Sequence, residues 1–235
     1  MTTEIIDGYQ LFFSEFIKDR KQEFFEFGLK NIIAADVDKA RESWTDLKHR
    51  LKSDQPVFIR RYGRGGINSP LYEAFYTHVF NNNNIKPDPT NNAKPRQLLE
   101  QLTGFAKKPK GNLKPIQNFQ VSHVFGRTKN ALAFTAPWNV VYLPKLLDPF
   151  TGHEAKGAEV LEFTNLFQGK CIETFGELIQ DFNEIMESDE VTSKLASGID
   201  YVAVNNKLTE KQKQQFAESV YSEFEPIPLK INKNS

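Results

Sequence analysis

The sequence is poor in the residues that most often announce a chemistry. Its 235 residues include one cysteine, two methionines, two tryptophans and four histidines. A lone Cys171 excludes an internal disulfide and any zinc site built on paired cysteines. No apolar run approaches about 18 residues, so no membrane-spanning helix is expected. The opening residues, MTTEIIDGYQ, lack a basic stretch followed by an apolar one, which argues against a secretory signal and for a cytoplasmic location. Net charge is absent as well, because 30 Lys and Arg meet 30 Asp and Glu. Phenylalanine, by contrast, is abundant, with 20 residues in a chain that is 39% hydrophobic. Such a composition can bury a sizeable core, and the length suits one compact unit.

The zero net charge conceals a division. Between Lys48 and Lys129 there are fifteen Lys and Arg against four acids, a surplus of eleven positive charges, so the rest of the chain is eleven negative. A basic middle of this kind suits a polyanionic partner, and double-stranded DNA is the partner expected. The candidate phosphate contacts are Arg60, Arg61, Arg64, Lys107, Lys108, Lys110, Arg127 and Lys129.

Apolar spacing predicts a first helix with Ile5, Ile6, Tyr9, Phe12, Phe13, Phe16 and Ile17 on one stripe, and a second from Asp36 to Leu51. Val57–Ile59 reads as a short strand running into Arg60-Arg61-Tyr62-Gly63-Arg64-Gly65-Gly66, whose glycines allow a tight turn. A helix starting at Asn68 or Ser69 follows. Residues 81–96 are expected to be a polar loop, too rich in Asn and Pro for a core element, with a short helix near Arg96–Leu102 stopped by Gly104. From Ile116 the period shortens to two: Phe119, Val121 and His123 alternate as on a strand. Gly126–Trp138 reads as a loop and Val140–Leu143 as a second strand. Helices resume after Gly152, one with Leu161 and Phe167, a longer one from Ile172 to Met186, and a last one opened by a Thr209–Gln212 capping box. Residues 227–231 could add an edge strand.

Two of the four histidines stand in a distinctive stretch, SHVFGRTKNALAFTAPWNVVYLPKLLDPFTGHEAKG. His123 is followed sixteen positions later by Asn139, and His153 comes fourteen after that. A neutral imidazole can take a proton from water near working pH, and a group on a following helix can ligate a cation. Strand, loop, strand, helix with His, Asn and His in that order resembles the HNH nucleases, over residues 116–168. The resemblance implies an α+β fold in which a ββα-metal finger is embedded among helices. It implies a divalent cofactor, Mg2+ or Mn2+. By position, His123 would be the general base, Asn139 would fix the loop and in some members contact the metal, and His153 would be a metal ligand. Ser122 stands where many members carry a ligand, and the interval to His153 is long, so Asp148 is a rival ligand and Glu154 a weaker one.

The expected organisation is a helical, basic, DNA-contacting region 1–115, an HNH-like catalytic core 116–168 and a helical region 169–235. The expected activity is site-specific cleavage of DNA, as in type II restriction, with a homodimer if the site is palindromic. A mobile-element nuclease of the same family is an alternative. Other chemistries fit less well. Gly63-Arg64-Gly65-Gly66 lacks the Gly-Lys-Ser/Thr ending of a P-loop, Cys171 sits on an apolar helix face, and Glu154-Ala155-Lys156 is placed on a helix rather than on the strand that a PD-(D/E)xK site needs. A nucleic-acid-binding protein without catalysis is the rival from a different class, and a helical interaction protein is a third.

Overall fold

The elements follow from local signals that the chain spells out. Asp36 accepts hydrogen bonds from the amides of Asp38 and Lys39 and opens helix α3, Val37–Lys52, whose Ala40, Trp44, Leu47 and Leu51 face the core. Thr209 and Gln212 form the full capping box that starts α8, Glu210–Phe224. Gly104, at φ +74°, ends α5, Ala93–Thr103, in the left-handed conformation that glycine adopts most readily. The computed structural model describes residues 6–61, 69–151 and 155–230. Arg64 with its flanking glycines, together with His153 and Glu154, lies outside them.

Among the described residues the chain is mixed helix and strand, an α+β arrangement in which helix dominates. The N-terminal stripe is broken into α1, Gly8–Phe12, a π-turn Phe13–Ile17, a 3-10 turn Lys18–Arg20 and α2, Lys21–Lys30. Its aromatic residues build a cluster in which Phe13, Phe24 and Phe25 all stand within ring-contact distance of Phe150. The two helices expected after Gly152 run end to end over Ala158–Glu187, together α6, and meet at a kink where Phe175 leaves the helical region with φ −124° and ψ 19°. Helix α7, Asp189–Asn205, which the sequence reading passed over, is capped by Ser188 and packs on α4, Ser69–Phe80.

Among the described residues, three two-stranded pairs accompany the helices. Strand β1, Val57–Ile59, lies parallel to β2, Ile85–Pro87. The polar loop expected over residues 81–96 therefore contains a strand and the first turn of α5. Asn82 and Asp88 are fully buried there. The Asn82 amide donates to the Leu51 carbonyl at 2.8 Å, and the Asp88 carboxylate accepts from the amides of Thr90, Ala93 and Lys94. Polar side chains thus substitute for backbone partners, which lets an Asn- and Pro-rich stretch enter the core. Strands β3, Phe105–Ala106, and β4, Lys114–Pro115, flank the lysine-rich connector. Strand β5, Phe119–His123, runs antiparallel to β6, Val140–Pro144. A 3-10 segment, Lys145–Thr151, leads from β6 towards α6. No strand forms over the described residues 227–230. Ile227 is instead bonded through both its amide and its carbonyl to the Asn183 side chain.

One core cluster runs from Phe13 to Ile227 and so draws on all three regions expected from the sequence; α6 itself crosses residue 168. A second, smaller cluster joins Leu99, Val121, Val140 and Tyr142. It fastens α5 to one face of the β5–β6 pair.

Candidate functional site

His123 is the last residue of β5 and pairs with Val140, the first of β6. Paired residues of an antiparallel ladder share a face, so His123 is on the side of Val121, Val140 and Tyr142. That is the face packed against Leu99 of α5. The layer built from α5, β3 and β4, which carries Lys107, Lys108 and Lys110, therefore covers the same side of the strand pair as His123.

The imidazole is tightly held. It stacks on Phe134, with ring centroids 5.3 Å apart and planes 14° apart, and is 8% exposed. Its Nε2 lies 3.0 Å from the Phe134 carbonyl oxygen. A carbonyl can only accept, so Nε2 donates, and in the neutral ring the basic lone pair is then on Nδ1.

The segment between the strands is buried, not a surface loop: residues 129–140 are all inside. Its order comes from side chains that satisfy the backbone. Asn139 is fully buried; its Oδ1 accepts from the Phe125 amide at 2.9 Å, and its Nδ2 donates to the carbonyls of Gly126 and Ala133, both at 2.9 Å. Asn139 therefore fixes the loop. Asn130 opens a turn by accepting from the Leu132 amide through its side chain and from the Phe134 amide through its carbonyl. Tyr76, reaching from α4, donates to the Lys129 carbonyl at 2.7 Å and accepts from the Ala131 amide at 3.0 Å.

The basic residues fall into two groups. Arg60, Arg61, Arg127 and Lys129 are brought together, because the Arg60 amide donates to the Thr128 carbonyl and the Lys129 Nζ donates to the carbonyls of Arg60, at 2.6 Å, and Arg61, at 3.2 Å. Lys129 is buried, and its ammonium holds backbone, so it is a structural clamp and not a surface phosphate contact. Burial lowers its pKa to about 8. Arg127 pairs with Glu225 at 3.3 Å. Lys107, Lys108 and Lys110 are exposed on the connector, with Lys110 bonded to Glu100 at 2.6 Å.

Asp148 accepts a hydrogen bond from Gln120, whose side chain is on the face of β5 opposite to His123, so the strand pair does not bring the two together. Its carboxylate offers the hard oxygens that Mg2+ and Mn2+ take. Among the described residues, no group of three or more His, Cys, Asp or Glu could hold a metal ion. Cys171 is buried and donates to the Trp138 carbonyl at 2.9 Å; burial pushes its thiol far up, which removes it as a nucleophile. His49 and His78 are exposed, the latter stacked on Tyr201.

Two contributors escaped the sequence reading. One is the Phe134 carbonyl, which has no residue signature. The other is Glu223 of α8, whose Oε2 accepts from the amides of Lys129 and Asn130 at 3.0 and 3.1 Å. Nothing in the local pattern of a C-terminal helix points to that contact.

Residues 35–229 match the family described as Uncharacterised protein PM1201. The chain is 39% identical over 222 residues to the Uncharacterized protein PM1201 of Pasteurella multocida (strain Pm70), covering 94% of this chain and 97% of that protein. No solved structure matches the chain.

Proposed function

The chain belongs to the PM1201 family, and we propose that it is a metal-dependent DNA endonuclease of restriction type, working through His123 in an HNH-like ββα arrangement. One observation carries this reading: the 3.0 Å bond from His123 Nε2 to the Phe134 carbonyl, which together with the ring stack on Phe134 holds the imidazole in one orientation. A general base has to be oriented before its pKa matters. Further support comes from Asn139, which holds the loop beside His123, and from the order strand, loop, strand, helix.

In this reading Nδ1 takes a proton from water while the water oxygen forms a bond to phosphorus and the opposite P–O ester bond breaks. The departing oxygen leaves as one strand's new end. A divalent cation, Mg2+ or Mn2+, would be held from His153 and would supply positive charge at the phosphate oxygens; Asp148, held by Gln120 on the other face of β5, is the rival ligand. Arg60, Arg61 and Arg127, with Lys107, Lys108 and Lys110, would bind backbone phosphates, contacts that position the duplex without reading its sequence.

A second reading, a DNA-binding protein without catalysis, is favoured by the small exposure of His123. Incubation of purified protein with supercoiled plasmids and Mg2+ or Mn2+ separates the two. The nuclease reading expects nicked or linear products that vanish with chelator. Retarded but intact DNA from varied sources would support the binding protein instead.

A further inference from the structure

We infer that Glu223 is a positioning residue of the His123 site: from α8 its carboxylate grips the Lys129–Phe134 turn, whose last carbonyl orients the imidazole, and so couples that orientation to the seat of the basic Arg60–Arg61 segment. The catalytic part of this role rests on His123 being the base; the grip on the turn does not.

The contacts form a continuous chain. Glu223 Oε2 accepts the amides of Lys129 and Asn130, and the Asn130 Nδ2 donates to the Glu223 carbonyl at 3.0 Å. The Asn130 carbonyl accepts the amides of Ala133 and Phe134, and the Phe134 carbonyl accepts from His123. In the other direction the Lys129 Nζ, held in the same cluster, clamps the carbonyls of Arg60 and Arg61. One carboxylate therefore anchors the base's partner and the start of the basic segment.

The charge on Glu223 is not there for stability. Burial raises its pKa to about 7, against the two amides and the nearby Arg127 and Lys129, which favour the ionised form. A glutamine of the same shape could accept the same two amides without that penalty. What the carboxylate adds is a charge-assisted grip, stronger than a neutral one. The groups facing it are Arg127 and Lys129 from the loop and Tyr72 and Tyr76 from α4; burial raises both tyrosines, so they stay neutral. Arg60 and Glu73 act on Lys129, with opposite effects. Glu225 pairs with Arg127.

The test uses the full chain as wild type, Glu223→Gln and His123→Gln, the last to remove the imidazole's own titration. Backbone amide NMR signals of Lys129, Asn130, Ala133 and Phe134 are followed from pH 5 to 9. The expected result is a midpoint near pH 7, shared by the four amides in the wild type and in His123→Gln and missing from Glu223→Gln, where only the step of the Lys129 ammonium near pH 8 remains. A midpoint near pH 7 that survives Glu223→Gln, or signals of Ala133 and Phe134 that do not follow those of Lys129 and Asn130, would overturn the inference. In plasmid cleavage at pH 8, Glu223→Gln should lower kcat at least threefold and raise KM for DNA, since the same carboxylate anchors the base's partner and the start of the basic segment; an unchanged kcat would also overturn it. If the wild type cleaves no DNA, the nuclease reading fails, and the amide titrations alone decide the role of Glu223.

Discussion

At the scale of single residues, the site is an exercise in satisfying buried backbone. Asn139 and Asn130 are almost completely buried, and each uses its amide as both donor and acceptor. The consequence for Asn139 is sharp. Asn139→Asp preserves shape but turns an acceptor toward the carbonyls of Gly126 and Ala133, leaving the first without its donor and the second with the Ala136 amide alone, and burying a charge. Unsatisfied buried polar groups cost about 1–3 kcal/mol each, so the substitution should destabilise the fold by roughly 3–5 kcal/mol in urea denaturation. A loss below about 1 kcal/mol would mean that the loop does not depend on this side chain. The order His123 then Asn139 was legible in the sequence because side-chain identity carries that information. The Phe134 carbonyl was not, since any residue supplies one, and Glu223 was not, since it stands 94 residues from Lys129 and 93 from Asn130.

At the scale of elements, helix starts and stops were the readable part. Asp36, the Thr209–Gln212 box and Gly104 act within a few residues of themselves, so sequence proximity was enough. Residues 81–96 were misread for the opposite reason. The partners that justify burying Asn82 lie about thirty residues away, on the carbonyls around the end of α3. Helix packing is decided by small residues in the same non-local way. A Cβ on Gly198 of α7 would stand 2.9 Å from Phe75 Cε2 and 3.0 Å from Val79 Cγ2 of α4. Gly198→Ala should therefore cost roughly 1–3 kcal/mol through overpacking, despite alanine's better helix propensity. A urea midpoint equal to the wild type's, at the same m-value, would show that α4 and α7 separate easily.

At the scale of the whole molecule, the neutral sum of charges resolves into a division with a spatial meaning. The exposed lysines of the connector and His123 are on one side of the β5–β6 pair, and the Arg60–Arg61 segment is tied to the loop that carries the histidine's partner. Global stability should carry the mark of Glu223. Its pKa is raised in the folded chain, so its contribution is fully present below the ordinary carboxylate pKa and is lost as pH rises through about 7. Glu223→Gln lacks this loss, so the variant should gain stability relative to the wild type between pH 5 and pH 8. Thermal unfolding of both proteins across that range checks it, and a difference that stays flat or changes in the other direction would contradict the burial assigned to the carboxylate.

The central claim is that His123 is a base and not only a packed ring. The direct measurement compares wild type and His123→Ala on supercoiled plasmid with Mg2+ or Mn2+, alongside their affinities for the same DNA. The account predicts that the wild type cuts, and that the variant binds DNA as well as the wild type but loses cleavage by at least a hundredfold, the lower range for removing a general base. Cleavage by His123→Ala at the wild-type rate would contradict it.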